Sequence, residues 1–259
     1  MKFLKKLTPT RTIMFFSVMI TIIAIIVLVT RPSWFFKDLP EENFATLTMT
    51  KSFSENCEIC EEIGYSGGDI LSQSQASGFS FFSKNGLSYI LTADHFCTET
   101  SSYYTLLGVS QEVESNIVVT DHYGNTWNAN VVFTDYSNDL CLLESNMPIE
   151  NNFRLASKQP EIGEDVFVIS APNGHSDKGI SIHIDGKYSG CNPESECAFY
   201  LPVYFGSSGS VILNSEGEMI SMVQTADIRL KFISFGPTVA TMRNFLQRAS
   251  ASTGIDLEF

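Results

Sequence analysis

The chain has 259 residues, 44% of them hydrophobic and 17% charged, with a formal net charge of −13. That length suits one large domain or two small ones, and 20 Phe with abundant Val, Ile and Leu exclude disordered and collagen-like classes. Residues 1–31 hold five basic and no acidic side chains, which leaves 11 basic against 29 acidic groups, a net of −18, in the rest. A surface so negative repels phosphate backbones, so no nucleic-acid partner is expected.

Between Arg11 and Arg31 lie nineteen uncharged residues, TIMFFSVMITIIAIIVLVT. As a helix they would span roughly 28 Å, close to the hydrocarbon thickness of a bilayer. No small-x-small cleavage site follows, since the next residues are Leu28-Val29-Thr30-Arg31-Pro32. The sequence therefore predicts an uncleaved transmembrane signal anchor over 12–30, with the lipid bilayer as its partner. Lys2, Lys5, Lys6 and Arg11 precede it, whereas Arg31 and Lys37 follow among Asp38, Glu41 and Glu42. That asymmetry predicts a cytoplasmic N-terminus at 1–11 and a single-pass protein whose C-terminal domain lies on the periplasmic or extracellular side.

Residues 31–75 read as a tether, of mixed charge at first and Gly- and Ser-rich in GYSGGDILSQSQ. From Ala76 to Phe259 the pattern is of short β-type runs: FSFFS, LSYILTA, SNIVVT, NANVVFT, LCLLES, DVFVISA, GISIHIDG, CAFYLPV, SVILN, EMISMV and LKFISF. Asn85-Gly86, Gly124-Asn125 and Glu216-Gly217 are turn signals between them. Ile180, Ile182 and Ile184 alternate as one buried face, with His183 opposite. Only TVATMRNFLQRA has helical spacing, with Val239, Met242, Phe245 and Leu246 on one side. The predicted class is all-β, a sandwich or pair of barrels closed by a C-terminal helix.

Three stretches carry chemistry: YILTADHFC with His95, DYSNDLCLLES with Asp139, and YFGSSGSVILN with Ser208. Amide hydrolysis needs a nucleophile, a base for its proton, a group that fixes the tautomer of that base, and backbone donors for the oxyanion. Ser208, His95 and Asp139 match the first three needs. A Gly-rich turn lets the N–H groups of Gly206 and Ser208 converge on one point. Asp94 and Asp135 are rival acids. Asp94 is poorly placed because consecutive residues of an extended segment project apart.

The order His, Asp, Ser at spacings of 44 and 69 residues, with TADH, D-x-x-x-D-L-x-L-L and G-x-S-G-S, resembles trypsin-like serine peptidases of the chymotrypsin fold. EIGEDVFVISAPNG, GSVILNSEGEMISMV and ISFGPTVATMRNFL are similar to segments of bacterial Deg/HtrA-type members over residues 76–250. The resemblance implies a double β-barrel and a serine endopeptidase acting on protein or peptide substrates without a cofactor. Ser208 would be the nucleophile, His95 the base, Asp139 the orienting acid, and Gly206 and Ser208 the oxyanion hole. Asp135 matches a turn position that the family commonly fills, which favours Asp139. Pro202 stands where trypsin-type members carry a specificity carboxylate, and Val223 and Gln224 would line the same pocket, implying an uncharged preference. Ser210 replaces the second glycine of the commoner motif, and Asp94 replaces a small residue. No PDZ-like segment follows the resemblance, so regulation through such a domain is not carried over. The alternative is a silent or latent peptidase-like domain that binds peptides or protein partners.

Six cysteines on the exported side predict disulfides. Cys191 and Cys197 bracket a short turn. If His95 and Asp139 meet, Cys97 and Cys141, each two residues beyond, meet as well, which leaves Cys57 with Cys60. His122, His175 and His183 are expected to be surface or hydrogen-bonded residues, and no metal-ligand spacing involves them.

Overall fold

In a computed structural model of the chain, the described residues are 40–57, 60–98, 113–149, 151–174, 178, 180–194, 196–227, 229–230 and 232–259, together with residue 19. The chain divides into two compact units, Met1–Asp38 and Leu39–Phe259. The expected membrane span at 12–30 belongs to the first and, residue 19 apart, lies outside the described residues. Among the described residues no helix is long and apolar enough to cross a membrane.

The second unit opens with β1 (Phe44–Phe53), β2 (Ile70–Lys84), β3 (Leu87–Thr92) and a short helix α1 (Asp94–Thr98). After β4 (Val113–Asp121), β5 (Thr126–Asp135) and β6 (Leu140–Ser145), the six strands close a barrel in the order β1-β2-β3-β6-β5-β4. Successive side chains of a strand point to opposite faces, so the unbroken buried runs of β3 and β6 pack on both sides. On β3 and β6, Ile90, Cys141 and Leu143 fill the barrel with Leu47, Met49, Ile117 and Val119. Tyr89, Leu91, Leu140 and Leu142 point the other way, into the core shared with the rest of the unit. The β2–β3 hairpin turns at Asn85-Gly86, both with positive φ, as a two-residue turn between right-twisted strands requires.

β1 corrects the reading of 31–75 as a tether, because Phe44–Phe53 is a full barrel strand paired to β2 and β4. Its alternation of Ala45, Leu47 and Met49 with Thr46, Thr48 and Thr50 is a strand pattern in which the polar partner is a β-branched residue.

The remaining strands are β7 (Asp165–Ser170), β8 (Ile182–Cys191), β9 (Glu196–Tyr200), β10 (Val211–Leu213), β11 (Met219–Met222), β12 (Thr225–Ala226) and β13 (Ile233–Pro237). They form a seven-stranded sheet in the order β11-β10-β7-β8-β9-β13-β12. The two ends of that order are consecutive along the chain, with only Val223 and Gln224 between β11 and β12, so the sheet curls round on itself. The expected Ile stripe holds only in part. Ile182 and Ile184 lie on the inner side of β8, but Ile180 precedes the strand and is 56% exposed.

The helix α2 (Val239–Thr253) follows β13. Thr238 caps it by accepting from the Thr241 N–H, and Gly254 ends it in the left-handed conformation. Val239, Met242, Phe245, Leu246 and Ala249 form its buried face. Disulfides join Cys57 to Cys60, Cys97 to Cys141 and Cys191 to Cys197.

Candidate active site

Two barrel strands, β3 and β5, each lead into a candidate site residue. β3 runs out at Thr92, and the turn of α1 that follows carries His95. β5 ends at Asp135, a single 3-10 turn over Tyr136–Asn138 follows, and Asp139 stands before β6 with φ 48° and ψ 51°. Left-handed backbone is uncommon for a residue other than glycine. Here it is held from outside: the Gln224 side-chain amide donates to the carbonyls of Asn138 (2.5 Å) and Asp139 (2.9 Å).

The Asp139 carboxylate faces His95 with both oxygens. Nδ1 of His95 lies 3.0 Å from Oδ1 and 2.9 Å from Oδ2, and the His95 backbone N–H donates to Oδ1 at 2.8 Å. Nδ1 must carry a proton to bond a carboxylate, which makes Nε2 the acceptor of the neutral ring. The Cys97–Cys141 disulfide ties α1 to β6 immediately beyond this pair.

Asp135 does different work. It accepts from Asn138 at 2.7 Å and is ion-paired to Arg248 of α2, whose guanidinium also stands over the Phe133 ring. Burial pushes its carboxyl up, but the hydrogen bonds from Asn138 and Arg248 and the Arg248 charge outweigh this and hold it below the ordinary range. It braces the turn that leads to Asp139.

Asp94 is buried, with Oδ2 accepting from Thr98 at 3.0 Å and Oδ1 without a partner among the described residues. Burial raises its pKa, and the charges of Asp139 and Asp135 add to this against the Thr98 bond. A carboxyl raised in the folded state contributes stability that is complete below its unfolded pKa and is lost as the pH rises through the folded one. Asp94→Asn is therefore expected to raise the melting temperature at about pH 8 by about 2–4 °C, the shift that ~1 kcal/mol produces in a domain of this size, and by less at about pH 4. Thermal denaturation at the two pH values checks the sign.

Ser208 comes from the curled sheet, on the turn between β9 and β10. Its hydroxyl donates to the Gln224 carbonyl at 3.3 Å. The Phe205–Gly206 and Ser207–Ser208 peptides are pinned by their carbonyls: Phe205 O accepts from the Asn173 N–H at 2.5 Å, and Ser207 O accepts from the Ser210 N–H at 3.0 Å. In a trans peptide the N–H points opposite to the C=O. The Gly206 and Ser208 N–H groups therefore face away from those pins, and neither has an acceptor among the described residues. Gly206 takes φ 88°, and a Cβ there would meet the Ala171 carbonyl oxygen at 2.6 Å.

His95 and Ser208 line one cavity of about 820 Å³. Val203, Val223 and Ala226 supply apolar walls, Tyr204 and Phe205 also line it, and Gln224 and Asp227 add polar groups. Asp227 is occupied, accepting from the backbone N–H and guanidinium of Arg229, which hold its carboxyl below the ordinary range. Pro202 is exposed and does not line the cavity. The Val203 N–H bonds back to Leu201 O, so Pro202 forms the apex of a three-residue turn and the wall is Val203 instead. Both Val223 and Gln224 do line it. Gln224 also braces Asp139, a second task that leaves no mark in the sequence.

His122 and His183 lie elsewhere. His183 bonds Glu41 Oε1 at 2.7 Å, and His122 bonds Glu41 Oε2 at 3.3 Å and Ser181 at 2.7 Å, linking barrel to sheet. His175 lies outside the described residues. Among the described residues no group of three ligating side chains fits a metal ion.

A six-stranded barrel and a curled sheet, with a His–carboxylate pair from one facing a serine turn from the other, define the chymotrypsin-like class of fold. The trypsin-like peptidase domain matches residues 76–222, and the chain belongs to that family. A serine endoprotease from Yersinia pestis is similar in fold, with a TM-score of 0.58 at 16% identity over 81% of this chain and 63% of that one, so the likeness spans less than two thirds of the Yersinia chain. The Rv3671c protease of M. tuberculosis matches in its active form, with a TM-score of 0.58 at 16% identity over 85% of this chain and 84% of that one. Its inactive form matches with a TM-score of 0.57 at 16% identity over 88% and 95%. No curated protein sequence matches the chain.

Proposed function

We propose that the chain is a membrane-anchored serine endopeptidase, held in the bilayer by residues 12–30 with its peptidase unit outside the cytoplasm. One observation carries the catalytic reading: the backbone N–H groups of Gly206 and of Ser208 itself have no acceptor among the described residues, and Ser208 shares a cavity with the Asp139-bonded His95. Ser208 Oγ attacks the scissile carbonyl as its proton passes to His95 Nε2. Asp139 keeps the Nδ1 proton in place and stabilises the imidazolium. The carbonyl electron pair moves onto oxygen, where the Gly206 and Ser208 N–H groups receive it. His95 then returns the proton to the leaving amine, and water repeats the sequence on the acyl-enzyme. The hydroxyl has one proton, so attack requires it to leave the Gln224 carbonyl for Nε2.

Val203, Val223 and Ala226, with the Asp227 charge already satisfied, favour substrates that offer a large uncharged side chain. The three disulfides agree with an oxidising compartment. The test is a fluorophosphonate probe applied to the full chain in detergent micelles with its disulfides formed. One adduct per chain, mapped by mass to the peptide containing Ser208, is expected. A folded, oxidised sample that takes no label would overturn the reading in favour of a binding module.

A further inference from the structure

Ser77 lies in β2 of the barrel and is fully buried. Its backbone N–H donates to the Ser208 carbonyl at 2.8 Å, and its hydroxyl donates to the Gly206 carbonyl, also at 2.8 Å. The same hydroxyl accepts from the Ala171 N–H at 3.1 Å. Ala171 precedes the 172–174 turn, and Asn173 of that turn pins the Phe205 carbonyl.

We infer that Ser77 is a positioning residue for the oxyanion site: through Oγ it holds, from the opposite half of the unit, both the Gly206 carbonyl and the segment that fixes the Phe205–Gly206 peptide. The inference rests on the proposed role of the Gly206 and Ser208 N–H groups. Its physical basis is the freedom of the residues it restrains. Gly206 has no side chain to limit its rotation, and Asn173, at φ 54°, sits in a conformation that needs outside support. Without the hydroxyl, the Gly206 carbonyl and the Ala171 N–H both lose a buried partner, and the Gly206 N–H loses its aim. The bond from the Ser77 N–H to Ser208 O belongs to the backbone and survives substitution, so Oγ alone is tested.

Ser77→Ala in the full chain is expected to lower kcat on a peptide substrate on the order of 10²-fold, the scale of a misplaced reacting group, with KM within about twofold. Ser88→Ala is the stability control. It removes a hydroxyl that donates to the Met147 carbonyl, also buried, at the other end of β3. A loss of melting temperature in both variants, with the kcat loss in Ser77→Ala alone, supports positioning. Unchanged kcat in Ser77→Ala, or an equal kcat loss in Ser88→Ala, overturns it. Amide hydrogen exchange gives a readout that does not depend on turnover. The Ser207 and Gly209 N–H groups, which donate to Tyr204 O and Val223 O, should exchange faster in Ser77→Ala than in Ser88→Ala. Equal exchange in the two variants sinks the inference even in a sample that takes no fluorophosphonate. An unlabelled wild type with exchange accelerated in Ser77→Ala alone removes the enzymatic reading and leaves the structural link standing.

Discussion

Ser208→Ala is expected to lower kcat on the order of 10⁶-fold while leaving the melting temperature nearly unchanged, and His95→Ala is expected to fall by a similar factor. The two losses should not multiply in the double variant, because in the proposed mechanism nucleophile and base act in one step. Asp139→Asn is expected to cost about 10⁴-fold. An amide at 139 can present its NH2 to His95 Nδ1, which would favour the tautomer with its proton on Nε2 and leave no acceptor for the serine. Asp135→Asn separates the two acids. Its carboxylate is engaged by Arg248 and Asn138, so its loss should appear as lowered stability with kcat reduced far less. Steady-state kinetics of the four single variants and the double variant check the whole set. A larger kcat loss in Asp135→Asn than in Asp139→Asn would reassign the acid.

Gly209→Ala is expected to destabilise the unit by about 4–5 kcal/mol, lowering the melting temperature by roughly 10 °C or more. A Cβ at this position would lie 2.0 Å from the Ser77 carbonyl oxygen and 2.4 Å from Thr92 Oγ1. The Ser77 oxygen belongs to a strand fixed on both sides by the barrel ladders, so it cannot withdraw. The backbone is also left-handed, at φ 89°. Gly254→Ala isolates that second effect, because it has φ 72° but nothing within 4 Å of its Cβ, and should cost only about 1 kcal/mol. Similar melting temperatures for the two variants would mean that the junction between barrel and sheet yields, against the close packing described above.

The strand pattern and the closing helix were legible in the sequence because their apolar positions recur at periods of two and of three to four. β1 was not, because FATLTMT alternates apolar residues with threonines and adjoins a mixed-charge stretch, so it resembles a polar linker until its partners β2 and β4 are known. The G-x-S-G turn and its flanking runs announced Ser208. The distance from His95 to Asp139, however, depends on where β3 and β6 end in the closed barrel, which no local pattern encodes. Offset from the serine indicated a stretch of the pocket wall but not the direction of its side chains. The three-residue turn at Leu201–Val203 turns Pro202 outward and Val203 inward. Ser77 and Gln224 gave no signal of their second roles, since a serine in a strand and a glutamine after one are ordinary residues until their hydrogen bonds are drawn.

The division of the site between the two halves has a consequence for biosynthesis. His95 and Asp139 belong to the first half made, and the Cys97–Cys141 bond can fasten them together as soon as β6 has emerged. Ser208 is translated 69 residues after Asp139, and its turn takes shape only when β10 and β11 dock. On the proposed mechanism, a nascent or truncated chain would therefore carry a finished base with nothing to activate. On the proposed mechanism, hydrolysis becomes possible only once the sheet of β7 to β13 has folded against the barrel.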